Sequence, residues 1–189
     1  MRKVFLHMIV SVDGFIEGPN HELDRQFVDD EFERYINDLL RSIGGMFFGR
    51  VAYERLAGYW PHAGSQPSAS THHIEAARMM NALPKYVVSG TVHKISWNNS
   101  HIVRGDIAAE VSRLKEQPGK DLALFAGAKL ASTFIRLRLL DELRLVMNPA
   151  LIGRGTRLFK DPQDMAALRL REARVFDSGA VLLSYGWRS

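Results

Sequence analysis

The sequence contains no cysteine. That absence excludes disulfides, thiolate metal sites, cysteine nucleophiles and CxxC redox chemistry, and it removes the zinc deaminase signature, whose ligands include cysteine. Long hydrophobic runs are missing too, and nothing approaches the ~20 apolar residues that a membrane span needs. The longest apolar run near the start, Val4–Val10, is interrupted by His7 and soon followed by Asp13, with no small-residue cleavage site. The expectation is therefore a cytoplasmic protein without a signal peptide. Runs of like charge are absent as well. Lys and Arg number 25 against 21 Asp and Glu, a net charge of +4 with a pI near 9.5. The scattered basic residues argue against a nucleic-acid partner and suit an anionic small molecule. Common catalytic templates fail: there is no GxSxG, no GxxxxGK[ST], no HExxH, and no GxGxxG after the first strand.

What is present is ordinary for a globular chain: 189 residues, 46% hydrophobic and 24% charged, enough for one domain over 1–189. Periodicity alternates strands with helices. Val4–Val10 is nearly all apolar, as in a strand covered on both faces. Asp13-Gly14 and Gly18-Pro19-Asn20 mark a loop. From Asp29 to Ile43 the residues Phe32, Tyr35, Ile36, Leu39, Leu40 and Ile43 form one helical stripe, acidic at its start and ended by Gly44-Gly45. Met46-Phe47-Phe48 is a short strand, and a short helix follows Gly49-Arg50 to about Leu56. Gly58–Thr71, rich in Gly, Pro, Ser and His, reads as the one long loop. Beyond it come a helix over Ile74–Leu83, strands at Lys85–Ser89 and Ser100–Val103, and a helix to Glu116 capped by Asp106. Asp121–Ala126 is a strand, Ala128–Leu137 a helix and Glu142–Asn148 a strand. Leu168–Phe176 and Ala180–Trp187 form a hairpin around Asp177-Ser178-Gly179. The fold class is α/β: about eight mostly parallel strands, flanking helices and an antiparallel C-terminal hairpin.

Sheets of this kind bind ligands at the carboxyl ends of their strands. Three strands end in glycine turns: Phe48-Gly49-Arg50, Val88-Ser89-Gly90-Thr91 and Phe125-Ala126-Gly127. Glycine lets a ligand approach the backbone, and a helix N-terminus offers free N–H groups to phosphate. Three such turns, one followed at once by Arg50, point to an anionic nucleotide. Other features read as structure. Gly153-Arg154-Gly155 is a plain turn, adjacent His72 and His73 are surface residues diverging on a helix, and no metal site is expected. The acidic cluster Asp29, Asp30, Glu31 and Glu33 answers the helix dipole, with Glu33 at the border of the apolar stripe. Arg144, Leu145, Val146 and Met147 carry more apolar area than the edge of a monomer should, which predicts a two-fold homodimer near them and the terminal hairpin.

Taken as a set, Ser11-Val12-Asp13-Gly14-Phe15-Ile16, Gly49-Arg50-Val51-Ala52-Tyr53-Glu54, Tyr59-Trp60-Pro61, Lys85-Tyr86-Val87-Val88-Ser89-Gly90-Thr91, Ala126-Gly127-Ala128-Lys129-Leu130, Asn148-Pro149 and Gly153-Arg154-Gly155-Thr156-Arg157-Leu158-Phe159 resemble a known family. It is the dihydrofolate reductase-like family that includes the C-terminal reductase domain of bifunctional riboflavin biosynthesis proteins. The resemblance covers essentially the whole chain in order, and the deaminase half of the bifunctional proteins has no counterpart. It implies NADPH as hydride donor, a small heterocyclic substrate of pterin or pyrimidine type, and a homodimer. Gly49, Arg50, Val51 and Ala52 would lie at the adenosine side, with Arg50 on the 2′-phosphate. Val88, Ser89, Gly90 and Thr91 would lie beside the same phosphate and the adenine. Ala126, Gly127, Ala128, Lys129 and Leu130 would hold the pyrophosphate. Ile9 and Ile16 would border the nicotinamide. Asp13 and Trp60 would face substrate, and Glu33 is the candidate proton donor. The chain departs from the family by lacking a hydroxyl at Ala52 and Ala128, a cation at Gly90 and a glycine at Ala126. The thinned phosphate contacts motivate an alternative: a nucleotide-binding or regulatory protein without turnover.

Overall fold

The protein is described here by a computed structural model covering residues 1–20, 29–160 and 166–188. In chain order its elements are β1 (Val4–Ser11), β2 (Phe15–Glu17), α1 (Asp30–Ser42), β3 (Ile43–Gly49), α2 (Arg50–Ala63), α3 (Thr71–Ala82), β4 (Lys85–Val88), β5 (Ser100–Val103), α4 (Ile107–Glu116), β6 (Asp121–Leu124), α5 (Ala128–Arg136), β7 (Glu142–Asn148), β8 (Thr156–Arg157), β9 (Leu168–Val175) and β10 (Val181–Trp187). Eight strands make one sheet in the order β5-β4-β3-β6-β1-β7-β10-β9, and β2 pairs with β8 in a separate ribbon. β3, β4 and β5 run parallel to one another, as do β1 and β7, whereas β10 is antiparallel to both β7 and β9. The expected α/β class with its terminal hairpin is what the chain adopts.

Two compact units make up the chain. The first comprises Met1–Arg2 and Asp30–Ala123. In it α1 buries Phe32, Tyr35, Leu39 and Leu40 and places Asp30, Glu31 and Glu33 in its first turn, where the helix dipole favours negative charge. Gly44-Gly45 does not end this helix in a loop. The chain passes straight into β3 at Ile43, and both glycines are strand residues. They are needed for close packing. A Cβ on Gly44 would lie 2.7 Å from Arg2 Nη2 and 3.0 Å from the Lys120 carbonyl, and one on Gly45 would lie 3.0 Å from the Tyr86 ring. The predicted long loop is also corrected. α2 continues through Tyr59 and Trp60 to Ala63 with Pro61 in its last turn, which leaves only residues 64–70 as connection. Pro61 has no N–H to donate to the Ala57 carbonyl one turn back, so the last turn is weakened and the helix stops two residues later. α3 starts at Thr71, three residues earlier than the periodicity suggested, because Ser70 caps it by accepting from His73 N.

The second unit comprises Lys3–Asp29 and Leu124–Ser189. β1 buries Val4, Phe5, Leu6 and Val10, consistent with a strand covered on both faces. The β2–β8 ribbon was not anticipated. Each strand is too short to show alternation, and the ribbon depends on Gly155, whose φ of 140° permits an approach to the Glu17 carbonyl that any Cβ would block. The expectation that Leu145 and Val146 are exposed is overturned. β7 lies between β1 and β10, so these side chains are 9% and 0% exposed. The open apolar surface lies one strand further out. Val175 and Leu170 on β9 are 70% and 51% exposed, and they pair across from Val181 and Tyr185 on β10.

Candidate functional site

In the first unit the parallel register aligns Gly49 of β3 with Val88 of β4, and Val88 with Val103 of β5. The turns after these strands therefore leave from one end of the sheet. After β3, Gly49 caps α2 with no side chain, so the first N–H groups of α2 receive no side-chain cap. Arg50 and Val51 open that helix. Arg50 Nη1 meets Glu54 Oε2 at 3.0 Å one turn on, with both side chains about half exposed, and Val51 is 55% exposed. Such an exposed pair is weak enough for a ligand to compete for Arg50. After β4, Ser89 Oγ accepts from Thr91 N at 3.1 Å and from Val92 N at 3.2 Å. Those two N–H groups are thereby engaged, and the turn offers hydroxyls instead, with Ser89 Oγ and Thr91 Oγ1 3.4 Å apart. Gly90 stands open, since a Cβ there would meet no heavy atom within 4 Å.

The same unit holds Glu33 and Trp60, and the first turn of α3 connects to both. Glu33 Oε2 accepts from Ser70 Oγ at 2.7 Å. Ser70 in turn accepts from His73 N at 3.0 Å. The His73 ring stacks on Trp60 with centroids 5.4 Å apart, and its Nε2 shares a 2.8 Å hydrogen bond with Tyr59 Oη. His73 is thus not a free surface side chain. The longer α2 carries Tyr59 and Trp60 against it. The contacts of Tyr59 and Ser70 were missed from sequence because Gly58–Thr71 read as loop, and His73 read as a surface residue. The signal available was Ser70, a cap residue placed just before a helical pattern.

In the second unit the turn between β1 and β2 is built on Ser11 and Asp13. Asp13 Oδ1 accepts from Ser11 Oγ at 2.6 Å and from Ile152 N at 3.1 Å, while Oδ2 accepts from Gly153 N at 2.7 Å. The Ser11 hydroxyl, with the Gly153 and Ile152 amides, holds the Asp13 carboxyl down at about 2. Both carboxylate oxygens therefore clasp the 152–153 turn. Gly14, at φ 87°, turns the chain, and Ile9 and Ile16 are half-buried on β1 and β2. Beneath, buried His7 sits edge-on to Phe125, 5.6 Å between ring centroids. Burial, reinforced by the Arg144 charge, pushes its pKa down to about 3.

The turn after β6 places Gly127 as the cap residue of α5, again without a side-chain cap. Its φ of −66° is ordinary, so this glycine is not required by backbone strain. A Cβ there would meet nothing within 4 Å. The methyls of Ala126 and Ala128 are buried, with the residues 2% and 5% exposed, so neither projects from the turn. Gly127 and Lys129 are the exposed members. A cavity of about 440 Å³ at the hairpin is lined by Arg169, Leu170, Arg171 and Trp187, and no candidate residue borders it. Among the described residues no group of three His, Asp or Glu side chains is placed to hold a metal ion, and no helix is long and apolar enough to cross a membrane.

An eight-stranded, mostly parallel sheet flanked by helices and closed by an antiparallel hairpin is a fold this chain shares with dihydrofolate reductase. The sequence profile of the RibD C-terminal domain matches residues 2–182, and the chain belongs to that family. It is 35% identical over 186 residues to the uncharacterized protein YyaP of Bacillus subtilis (strain 168), covering 98% of this chain and 95% of YyaP. Among solved structures it resembles the "Putative riboflavin biosynthesis protein" of Shewanella sp. PV-4, with a TM-score of 0.75, 17% identity and 99% of each chain covered. It also resembles dihydrofolate reductase from Enterococcus faecalis complexed with NADP(H), with a TM-score of 0.63, 10% identity, and 99% of this chain and 97% of that one covered.

Proposed function

We propose that this chain acts as a single-domain NADPH-dependent reductase, delivering hydride to a carbon of a C=N or C=O group in a small pterin- or pyrimidine-like heterocycle. The observation that carries the reading is the Gly127 turn, an exposed, uncapped helix N-terminus with open space at its glycine, as a pyrophosphate requires. Lys129, Ala126, Ala128 and Leu130 complete that turn. Ile9 and Ile16 are the apolar surface offered to the nicotinamide. Gly49, Arg50, Val51, Ala52, Val88, Ser89, Gly90 and Thr91 are the adenosine-side group. The reaction's proton comes from Glu33, whose Oε1 has no hydrogen-bond partner among the described residues. Trp60 presents its ring to substrate. Asp13 acts on substrate through the turn it clasps. The cofactor supplies the hydride, and the chain supplies orientation and exclusion of water.

Steady-state NADPH oxidation with a panel of pterins and pyrimidines tests the reading. Turnover is expected with at least one of them. Tight NADPH binding without turnover on any of them would favour the alternative, a nucleotide-binding regulator, which the fully engaged carboxylate of Asp13 also suits. Cofactor choice is a second expectation. NADPH binds more tightly than NADH, and Arg50→Ala narrows the gap by about 1.5–3 kcal/mol, the worth of a hydrogen bond to a charged group. Equal affinities in the parent protein would refute the assignment of Arg50.

The proposed location is the cytoplasm and the proposed assembly a two-fold homodimer. The open apolar face of β9 and β10, with Leu170 and Val175 exposed, is the contact surface. Light scattering at micromolar concentration should give twice the 21.4 kDa chain mass, and Val175→Glu should shift the protein toward monomer. A monomeric parent would rule this out.

A further inference from the structure

The hairpin cavity, about 440 Å³, has a volume in the range of small-molecule sites, and two of its four lining side chains are guanidiniums. It lies in the second unit at the amino end of the parallel strands. Gly186 and Trp187 end β10, and Gly186 pairs with Glu142, the first residue of β7. The Asp13 turn leaves the opposite end, after Ser11, which pairs with Asn148. β9 is the outer strand of the sheet, and its ladder to β10 is interrupted. Leu170 stands opposite Tyr185 and Glu172 opposite Ser184, so Arg171 is an extra residue, a bulge that re-aims its side chain. Arg169 is the cross-strand partner of Gly186, and the Arg171 guanidinium lies over the same glycine, where any Cβ would collide with it. The bulge and the glycine together bring both arginines to one spot.

The charge there is weakly compensated. Arg171 Nη1 is 3.9 Å from Glu142 Oε2, and Glu142 is already engaged through Oε1 by Arg144 Nε at 2.6 Å and Ser184 Oγ at 2.7 Å. Arg169 has no ion pair among the described residues, and neither has Glu172, the acid on the same strand. Trp187 Nε1 donates to the Leu140 carbonyl at 2.6 Å, which spends the polar edge of the indole and fixes its ring. That ring and Leu170 are the apolar part of the lining. Charge on an outer strand also deters pairing with other chains. That role needs neither a cavity nor a glycine beneath a guanidinium.

We propose that this cavity is a second binding site and that it takes a planar aromatic carboxylate. The carboxylate meets the forked donors of Arg169 and Arg171, and the ligand's ring lies along Trp187 and Leu170. The proposal stands independently of the NADPH reading. Val175, the residue tested above for dimer contact, is at the other end of β9.

Naphthalene-2-carboxylate is the probe, titrated into the isotope-labelled parent by NMR and calorimetry. Naphthalene-2-carboxamide and cyclohexanecarboxylate are the uncharged and non-aromatic comparisons. The acid should bind saturably and shift the indole N–H of Trp187, identified with Trp187→Phe, but not those of Trp60 and Trp97. Both comparison compounds should bind about tenfold or more weakly, as should the acid to Arg169→Gln, since each lacks one part of the recognition. Arg169 is exposed, so the glutamine variant should melt at the parent temperature. Arg169→Lys should recover part of the loss, because it restores the charge without the fork. Saturating NADPH should leave the acid's affinity unchanged. No saturable binding, or a shift confined to Trp60 or Trp97, would overturn the proposal. So would undiminished binding to Arg169→Gln, and equal binding of the carboxamide would reduce the cavity to an apolar surface. Displacement of the acid by NADPH would place it in the nucleotide site, overturning this proposal while leaving the NADPH reading in place.

Discussion

Gly127→Val is expected to weaken NADPH binding tenfold or more, about 1.4 kcal/mol per decade, while the protein melts at the parent temperature. The two readouts separate because of the local geometry. At φ −66° the backbone is one that any residue adopts, and an added Cβ meets no heavy atom within 4 Å. Valine therefore costs the ligand-free fold little, but its methyls occupy the space in front of the uncapped N–H groups of α5, where a pyrophosphate would bind. Titration and a thermal melt on the same sample check the result. A folded variant that binds NADPH as well as the parent would reduce this turn to a chain reversal and remove the main support for the reductase reading. Ile135→Val, a half-buried conservative change further along the same helix, serves as the control.

Acid should destabilise the protein through His7. The side chain is 4% exposed, and burial, with the Arg144 charge adding to it, holds its pKa near 3 against an ordinary 6.5. Between those values the unfolded chain binds a proton that the folded chain refuses. Stability attributable to His7 is thus complete above about pH 6.5 and is lost as pH falls toward 3. The slope approaches about 1.4 kcal/mol per pH unit in the middle of that window. Denaturant unfolding of the parent and His7→Phe at pH 7, 5.5 and 4 measures it. The variant should lose less stability between pH 7 and 4 than the parent does. Asp13, whose carboxyl is held near 2, keeps a residual dependence of the same sign in both proteins. Identical slopes would place the acid-sensitive group elsewhere.

Much of the candidate site could be read from the chain because it rests on local signals. Gly49 and Gly127 each end an apolar strand before a helical pattern, and Gly90 ends one before a loop, signals that need no distant partner to be recognised. Where readings failed, the cause was long-range. Gly44-Gly45 resembles a helix stop, yet both are strand residues, and the side chains of Arg2, Tyr86 and Leu122 pack so closely that a Cβ would force them to shift. Pro61 resembles a loop residue, yet α2 runs through it. The Glu33–Ser70 bond joins residues 37 apart, and Asp13 meets Gly153 across 140 positions.

The sequence by itself determined the α/β alternation, the hairpin around Asp177-Ser178-Gly179, the order of the glycine turns and, through the absence of cysteine, a chemistry without thiols. These follow from periodicities of two and 3.6 residues and from composition, which act between near neighbours. Only the tertiary structure decided that Asp13 clasps the 152–153 turn, that His73 packs between Tyr59 and Trp60, that the Ala126 and Ala128 methyls point inward, and that Arg104 is tied to the Ser89–Val92 turn. The contacts at the strand ends depend on which strands pair and in what register, and the His73 contact depends on how α2 and α3 pack, none of which near neighbours in sequence specify.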